Sequence, residues 1–297
     1  MLSPKCRTLA KHAAWRVLKW IHGREIVPLR VLRGPARGAI LSLDVRSQGS
    51  YWIGNYDEYA FARLPFHRYL RAGAVAWDCG AFVGYYTAVF RKIVGERGRV
   101  IVFEASSKNY APLAALPALN RWSNVEIRRE AVGDDHCEIE FVSNLGGASG
   151  PFGLSKQYAK DESLEVERVP CRGVDELVFE RGVPPPDFIK FDLESAEEFA
   201  LHNGPRIYTE RRPALLLELH GEAARDAAGR FLEKYRYAAT CVDRLDVFAA
   251  VDEDRWLRSL RAHAVRNLGE LRALPYLPHM LLTLPQEHPD WTTGDTR

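Results

Sequence analysis

Five acidic residues and one histidine stand where apolar runs of strand length stop. Asp78 closes Val75-Ala76-Trp77, and Glu104 closes Arg99-Val100-Ile101-Val102-Phe103. Asp192 and Glu194 end the alternating run Asp187-Phe188-Ile189-Lys190-Phe191, and Glu218 and His220 end Ala214-Leu215-Leu216-Leu217. In a parallel sheet all of these termini open on one edge, where ligands bind. Carboxylates placed there can accept hydrogen bonds from ribose hydroxyls. A histidine, whose ordinary pKa is about 6.5, can take a proton from a reacting hydroxyl.

The elements that must position these groups are readable around Val75 to Glu104. A strand stops at Asp78, crosses a glycine turn at Gly80 to Gly84, enters a helical pattern and returns as a second strand ending at Glu104. Glu104 follows Gly80 by 24 residues, near the separation at which an acid reaches a ribose. A nucleoside-containing cofactor is therefore expected. A dinucleotide needs a small residue at the middle of G-x-G-x-x-G, and here the spacing is Asp78-x-Gly80-x-Phe82-x-Gly84, with a bulky phenylalanine at that place. This argues against NAD. The loop resembles that of S-adenosylmethionine-dependent methyltransferases.

Taken in order, Gly54-x-Tyr56-Asp57, Asp78-x-Gly80-Ala81-x-x-Gly84-x-Tyr86-Thr87, Phe103-Glu104, Asp187-x-Ile189-Lys190-x-Asp192-x-Glu194-x-Ala196-Glu197 and Glu218-x-His220 resemble the FkbM family of S-adenosylmethionine-dependent methyltransferases. The likeness runs from about Tyr51 to Pro285. Phe82, Ala105, Asp57 and Ser195 depart from the residues usual there, and none of the departures removes a carboxylate from a strand end.

The resemblance implies an α/β fold: a seven-stranded, mostly parallel Rossmann-like methyltransferase sheet with helices on both faces and an antiparallel last strand. It implies O-methylation of a substrate hydroxyl on a sugar, glycolipid or natural product. His220, Asp192 and Glu194 are then the catalytic candidates. Asp78, Gly80, Ala81, Gly84, Glu104 and Val132 are the candidates for holding S-adenosylmethionine, and Tyr56, Asp57 and Glu218 for holding substrate. Asp192, Glu194, Glu218 and His220 also suit a divalent metal, although no spacing is diagnostic of one. Two readings of other classes share the first strand-helix-strand unit: an NAD-dependent sugar-modifying oxidoreductase, and a catalytically silent binding protein.

Composition sets the outer bounds. The 297 residues are 46% apolar and 27% charged, as in ordinary globular proteins. Five scattered cysteines, with no C-x-x-C spacing, indicate neither a disulfide framework nor a zinc site and favour a reducing, cytoplasmic setting. Net charge is +2, but residues 1–50 hold ten Lys or Arg against Glu25 and Asp44. The basic residues thus avoid the inferred crevice, and nucleic acid is not an expected partner.

Residues 1–24 carry six Lys or Arg, no acid, and an apolar stripe at helical spacing. That pattern fits a helix docked on protein, or one lying peripherally on an anionic membrane surface. A hairpin over Ile26 to Leu32 and Ala39 to Leu43 completes a basic extension over 1–50. The methyltransferase domain is expected over 51–285 and a disordered tail over 286–297. The stretch holding Gly146, Gly147, Gly150 and Gly153 is the expected substrate lid.

Overall fold

Alternation of apolar residues decides which face of the sheet each side chain joins, and the computed structural model shows the result for residues 25–44, 46–143, 149–151, 165–246 and 252–292. The strands are β1 Val27–Arg30, β2 Ile40–Leu43, β3 Val75–Cys79, β4 Arg99–Phe103, β5 Val125–Arg128, β6 Ala131–Val132 and β7 Cys137–Ser143. They continue as β8 Gly150–Pro151, β9 Glu165–Arg172, β10 Phe188–Phe191, β11 Ala214–Glu218, β12 Tyr237–Cys241, β13 Ala264–Val265 and β14 Met280–Pro285.

The central sheet runs β13-β12-β14-β11-β10-β3-β4-β5. Strands β3, β4, β5, β10 and β11 are mutually parallel, and β14 is antiparallel to both neighbours. The seven strands read from the sequence are all there, and the two-residue β13 adds an eighth at the edge.

Trp77, Cys79, Ile101, Phe103, Ile189, Phe191, Leu215 and Leu217 pack on one face, with the helix Glu222–Tyr235. Ala76, Val100, Val102, Phe188 and Leu216 pack on the other, with the helix Tyr85–Val94. Asp78 and Lys190 belong by alternation to this second face and are register partners across β3 and β10. The chain leaves β3 towards β4 and β5, then returns to β10 on the other side of β3, so the switch point lies between β3 and β10.

The β1–β2 hairpin forms as read, and Val27, Leu29, Val31, Leu41 and Leu43 are buried in the same core as Phe90 and Phe188. It packs as a wall of that core. Ahead of β3, Pro65 separates two short helices, Glu58–Arg63 and Phe66–Tyr69.

After β4 the strands divide between two sheets: β5 joins the main sheet, while β6 joins a separate sheet in the order β6-β9-β7-β8. The tail is anchored over 286–292, because Asp290 is 1% exposed, accepts a hydrogen bond from the Tyr69 hydroxyl at 2.8 Å and pairs with Arg68. The N-terminal helix of residues 1–24, the apolar run Val247 to Val251, and residues 144–148 and 152–164 of the glycine-rich stretch lie outside the described residues. Among the described residues no helix is long and apolar enough to cross a membrane.

Candidate functional site

A cavity of about 740 Å³ opens at the carboxyl ends of β3, β4, β10 and β11. Its wall at the switch point is the glycine turn. Gly80 has φ +80°, and a Cβ there would meet the Asp192 carbonyl oxygen at 1.8 Å. Only glycine lets the ends of β3 and β10 approach so closely. Gly84, at φ +79°, would drive a Cβ into Leu113 and Leu116, so its smallness serves helix packing.

Glu104, 5% exposed, lines the cavity. Its Oε2 accepts from the Phe82 backbone N–H at 2.9 Å and its Oε1 from that of Ser106 at 3.0 Å. Burial pushes its pKa up to about 7, against the lowering effect of those two donors. The Asn109 side chain is a third donor to Glu104, and a carboxylate, with about four acceptor sites, keeps capacity beyond these three.

The second cluster forms where β10 and β11 end. The His220 Nδ1 lies 2.8 Å from the Glu197 Oε1, and Glu197 is fully buried at the start of the helix Glu197–His202. The same Oε1 accepts from the Leu193 backbone N–H at 3.0 Å. In the neutral ring, with Nδ1–H donated to Glu197, the lone pair is on Nε2. Nε2 faces Asp192 Oδ1 at 3.8 Å, Glu194 Oε2 at 3.8 Å and Glu218 Oε1 at 3.9 Å.

Burial alone would lower the imidazole, but the Glu197 bond, with Asp192 and Glu194, reverses this and holds it at about 9. Burial raises Asp192 and Glu194 above the usual carboxylate range, against the pull of Lys190 and His220 respectively. Glu218 is held low despite its burial, by the His279 bond and the Lys190 charge. Asp192, Glu218 and His220 present one ligand atom each within 4.8 Å of one another, and so could hold a metal ion.

Lys190 is the hub beneath the cavity floor. It is 3% exposed, donates to the Gly80 carbonyl at 3.0 Å and to Asp192 Oδ2 at 3.1 Å, and lies 3.5 Å from Asp78 Oδ1. These carboxylates hold its ammonium charged, well above its usual range, although burial opposes this.

Gly80, Glu104, Val132, Tyr56, Asp192, Glu194 and Glu218 line the cavity. His220 is not a lining residue and reaches it through the three carboxylates it faces. Asp78 does not line the cavity: it is fully buried and accepts from the Thr87 hydroxyl at 2.5 Å. Ala81 and Gly84 shape the turn without lining the cavity. Asp57 likewise stands off the lining, bonded to the Tyr86 hydroxyl at 3.0 Å. Its neighbour Tyr56 stacks on Tyr51 with ring centroids 4.0 Å apart.

Sequence reasoning missed the work of Lys190 and Glu197. Both sit inside the motif around Asp192, and the even spacing of Lys190 and Asp192 on a strand was the available signal. It also missed Ile139, Phe141 and Phe199, which close the cavity from β7 and the neighbouring helix.

Ser195 takes φ +83° directly after Glu194 at φ +50°, two left-handed residues in a row. The Ser195 hydroxyl donates to the His220 carbonyl at 3.4 Å, a long bond that offsets little of the strain. Ser195→Gly is expected to stabilise the protein by about 1 kcal/mol, read as a rise in melting temperature. An unchanged or lower melting temperature would show that the hydroxyl bond outweighs the backbone cost.

The sequence profile of the methyltransferase FkbM domain matches residues 78–263, well over half of the chain. Among solved structures, methyltransferase FkbM from Methylobacillus flagellatus KT aligns at 19% identity with a TM-score of 0.36, covering 60% of this chain and 50% of that one. This chain therefore spans about half the length of that relative. A SAM-dependent methyltransferase from Aquifex aeolicus aligns at 14% identity with a TM-score of 0.34, covering 57% of this chain and 74% of that one. Fibrillarin from Aeropyrum pernix, solved with natively bound S-adenosyl-L-methionine, aligns at 12% identity with a TM-score of 0.33, covering 73% and 68%. The comparison with curated proteins gave no match.

Proposed function

The chain belongs to the FkbM methyltransferase family, and from that premise we propose that it transfers the methyl group of S-adenosylmethionine to a hydroxyl oxygen of a sugar, glycolipid or related natural product. The observation that carries this is one cavity with two chemistries at its rim. Glu104 offers a buried carboxylate aligned by two backbone N–H groups, and the Asp192–Glu194–Glu218–His220 cluster offers proton acceptors.

The residues fit the cofactor. The Gly80 turn cannot accept a side chain, and Glu104 retains acceptor capacity towards ribose. Phe82 lines the cavity where a pyrophosphate would need a small residue, which disfavours the NAD reading. S-adenosylmethionine supplies a sulfonium methyl with a good leaving group, so the protein's tasks are alignment and proton removal. Asp192, rooted at the end of β10 by Lys190, orients the acceptor hydroxyl. His220 Nε2 takes its proton, directly or through a neighbouring carboxylate, while Glu197 fixes the ring. The Tyr51–Tyr56 stack supplies an aromatic wall of the kind on which a sugar ring packs.

Lys190, His220 and His279 lie against the carboxylates Asp78, Asp192, Glu194, Glu197 and Glu218. The test is methyl transfer from radiolabelled S-adenosylmethionine to a panel of glycans, glycolipids and natural-product alcohols, run with and without chelator. Label recovered in an alkali-stable methyl ether, at a rate indifferent to chelator, is the expected result. Label on nitrogen or carbon would overturn the hydroxyl reading. Activity lost with chelator and restored by Mg²⁺ or Mn²⁺ would assign Asp192, Glu218 and His220 to a metal.

A further inference from the structure

A second recess, of about 670 Å³, lies between the β1–β2 hairpin, the last turn of the helix Tyr85–Val94 and the segment Leu119 to Trp122. It shares no lining residue with the cavity described above. Helices that begin at the carboxyl edge of a parallel sheet end at the opposite edge, so the recess opens away from the methyl-transfer site. Arg30, Arg37, Arg91, Lys92 and Arg121 line it, together with Trp122, and no acidic residue does.

Among the described residues none of these five cations forms an ion pair. Arg30 donates to the Gly38 carbonyl at 2.7 Å and Lys92 to the Pro35 carbonyl at 3.3 Å, which fixes where their charges sit without neutralising them. Some arginines elsewhere are paired, as Arg99 and Arg128 are with Glu126. Residues 1–24, which precede the hairpin in sequence, contain no acid either. Arg91 and Lys92 also offset the carbonyl end of their helix, but that does not account for Arg30, Arg37 and Arg121 converging on the same recess. The Arg91 Nε adds a donor that is buried and has no hydrogen-bond partner, an arrangement that folded proteins avoid unless something fills it.

We infer that this recess binds a phosphate monoester. Arginine forks match the terminal oxygens of phosphate in pairs, five cations suit a doubly charged group, and Trp122 offers an apolar face to the carbon skeleton beside it. The same chemistry is presented by a phosphatidic acid headgroup at a membrane surface and by a soluble phosphate ester.

The experiment uses the full-length chain with sn-glycerol 3-phosphate in solution, and with phosphatidylcholine vesicles made with and without phosphatidic acid. The variants are the exposed pair Arg37→Gln with Arg121→Asn, the latter keeping a residue that tolerates left-handed backbone, and separately Arg91→Gln. Wild type is expected to bind at least one phosphate probe, and each variant to weaken that binding roughly tenfold, with S-adenosylmethionine affinity unchanged. Soluble ester that binds and displaces vesicles identifies a soluble ligand as sufficient, whereas binding to phosphatidic acid vesicles alone identifies the headgroup. The exposed pair keeps the test decisive if Arg91→Gln fails to fold. Absence of binding to both probes, or binding that survives the paired variant whatever residues 1–24 contribute, overturns the proposal.

Discussion

Glu104→Ala is expected to weaken S-adenosylmethionine binding by roughly a hundredfold, because hydrogen bonding to an ionised carboxylate is lost. Glu104→Gln should fall between, since the amide keeps one acceptor oxygen but no charge. The pH dependence carries a distinct signature. Glu104 ionises near 7 in the free protein, and its ionised form is the better acceptor, so affinity should rise with pH through about 7 and then level. The stability of the free protein runs the other way. A carboxyl raised from its ordinary 4.5 contributes stability that is fully present below 4.5 and lost as pH rises through about 7. Titration calorimetry across this range, with thermal melts of the free protein alongside, separates the two effects. A flat affinity profile in wild type, or normal affinity in Glu104→Ala, would remove Glu104 from the cofactor site.

The second large effect concerns the proton. His220→Ala is expected to lower kcat by about 10²- to 10⁴-fold, the usual worth of a positioned base, with cofactor affinity little changed because the loss is confined to the transition state. With an imidazole held at about 9, the neutral base is scarce at neutral pH, so wild-type turnover should climb with pH and flatten near 9. That limb should be absent in His220→Ala.

Glu197 acts through the ring as a positioning residue. Glu197→Gln removes the first of the influences that raise His220 and should move the limb to lower pH while reducing the plateau, a displacement that a merely structural role would not cause. A wild-type profile without an alkaline limb would pass the proton to Asp192 or Glu194.

Much of the fold is legible along the chain because sheet geometry is a local code. The alternation in Val75–Cys79 and Phe188–Phe191 assigns Trp77, Cys79, Ile189 and Phe191 to one core, and Ala76 and Phe188 to the other. It places Lys190 and Asp192 on a common side without any knowledge of the neighbours. The helix Glu222–Tyr235 buries Ala224, Ala227, Ala228, Phe231 and Tyr235 at helical spacing, a pattern that is likewise local. Glu104 is legible for a related reason: the chain length of a strand-helix-strand unit sets how far an acid lies from the glycine turn.

What a single stretch does not encode is which polar atom at a strand end meets the cavity and which meets another side chain. Asp78 and Glu104 read alike, each an acid closing an apolar run. Yet register sets Asp78 opposite Lys190, with Thr87 capping it, and so turns it inward, while Glu104 faces the cavity. The shift of His220 from its ordinary 6.5 to about 9 likewise depends on Glu197, 23 residues away, and on two carboxylates from the end of β10. The residue types and their place at one edge of the sheet were determined by the sequence alone. Their protonation, orientation and division into ligand contacts and supports were decided by the tertiary structure, because electrostatic and hydrogen-bond energies depend on through-space distance and burial, which only the closed fold specifies.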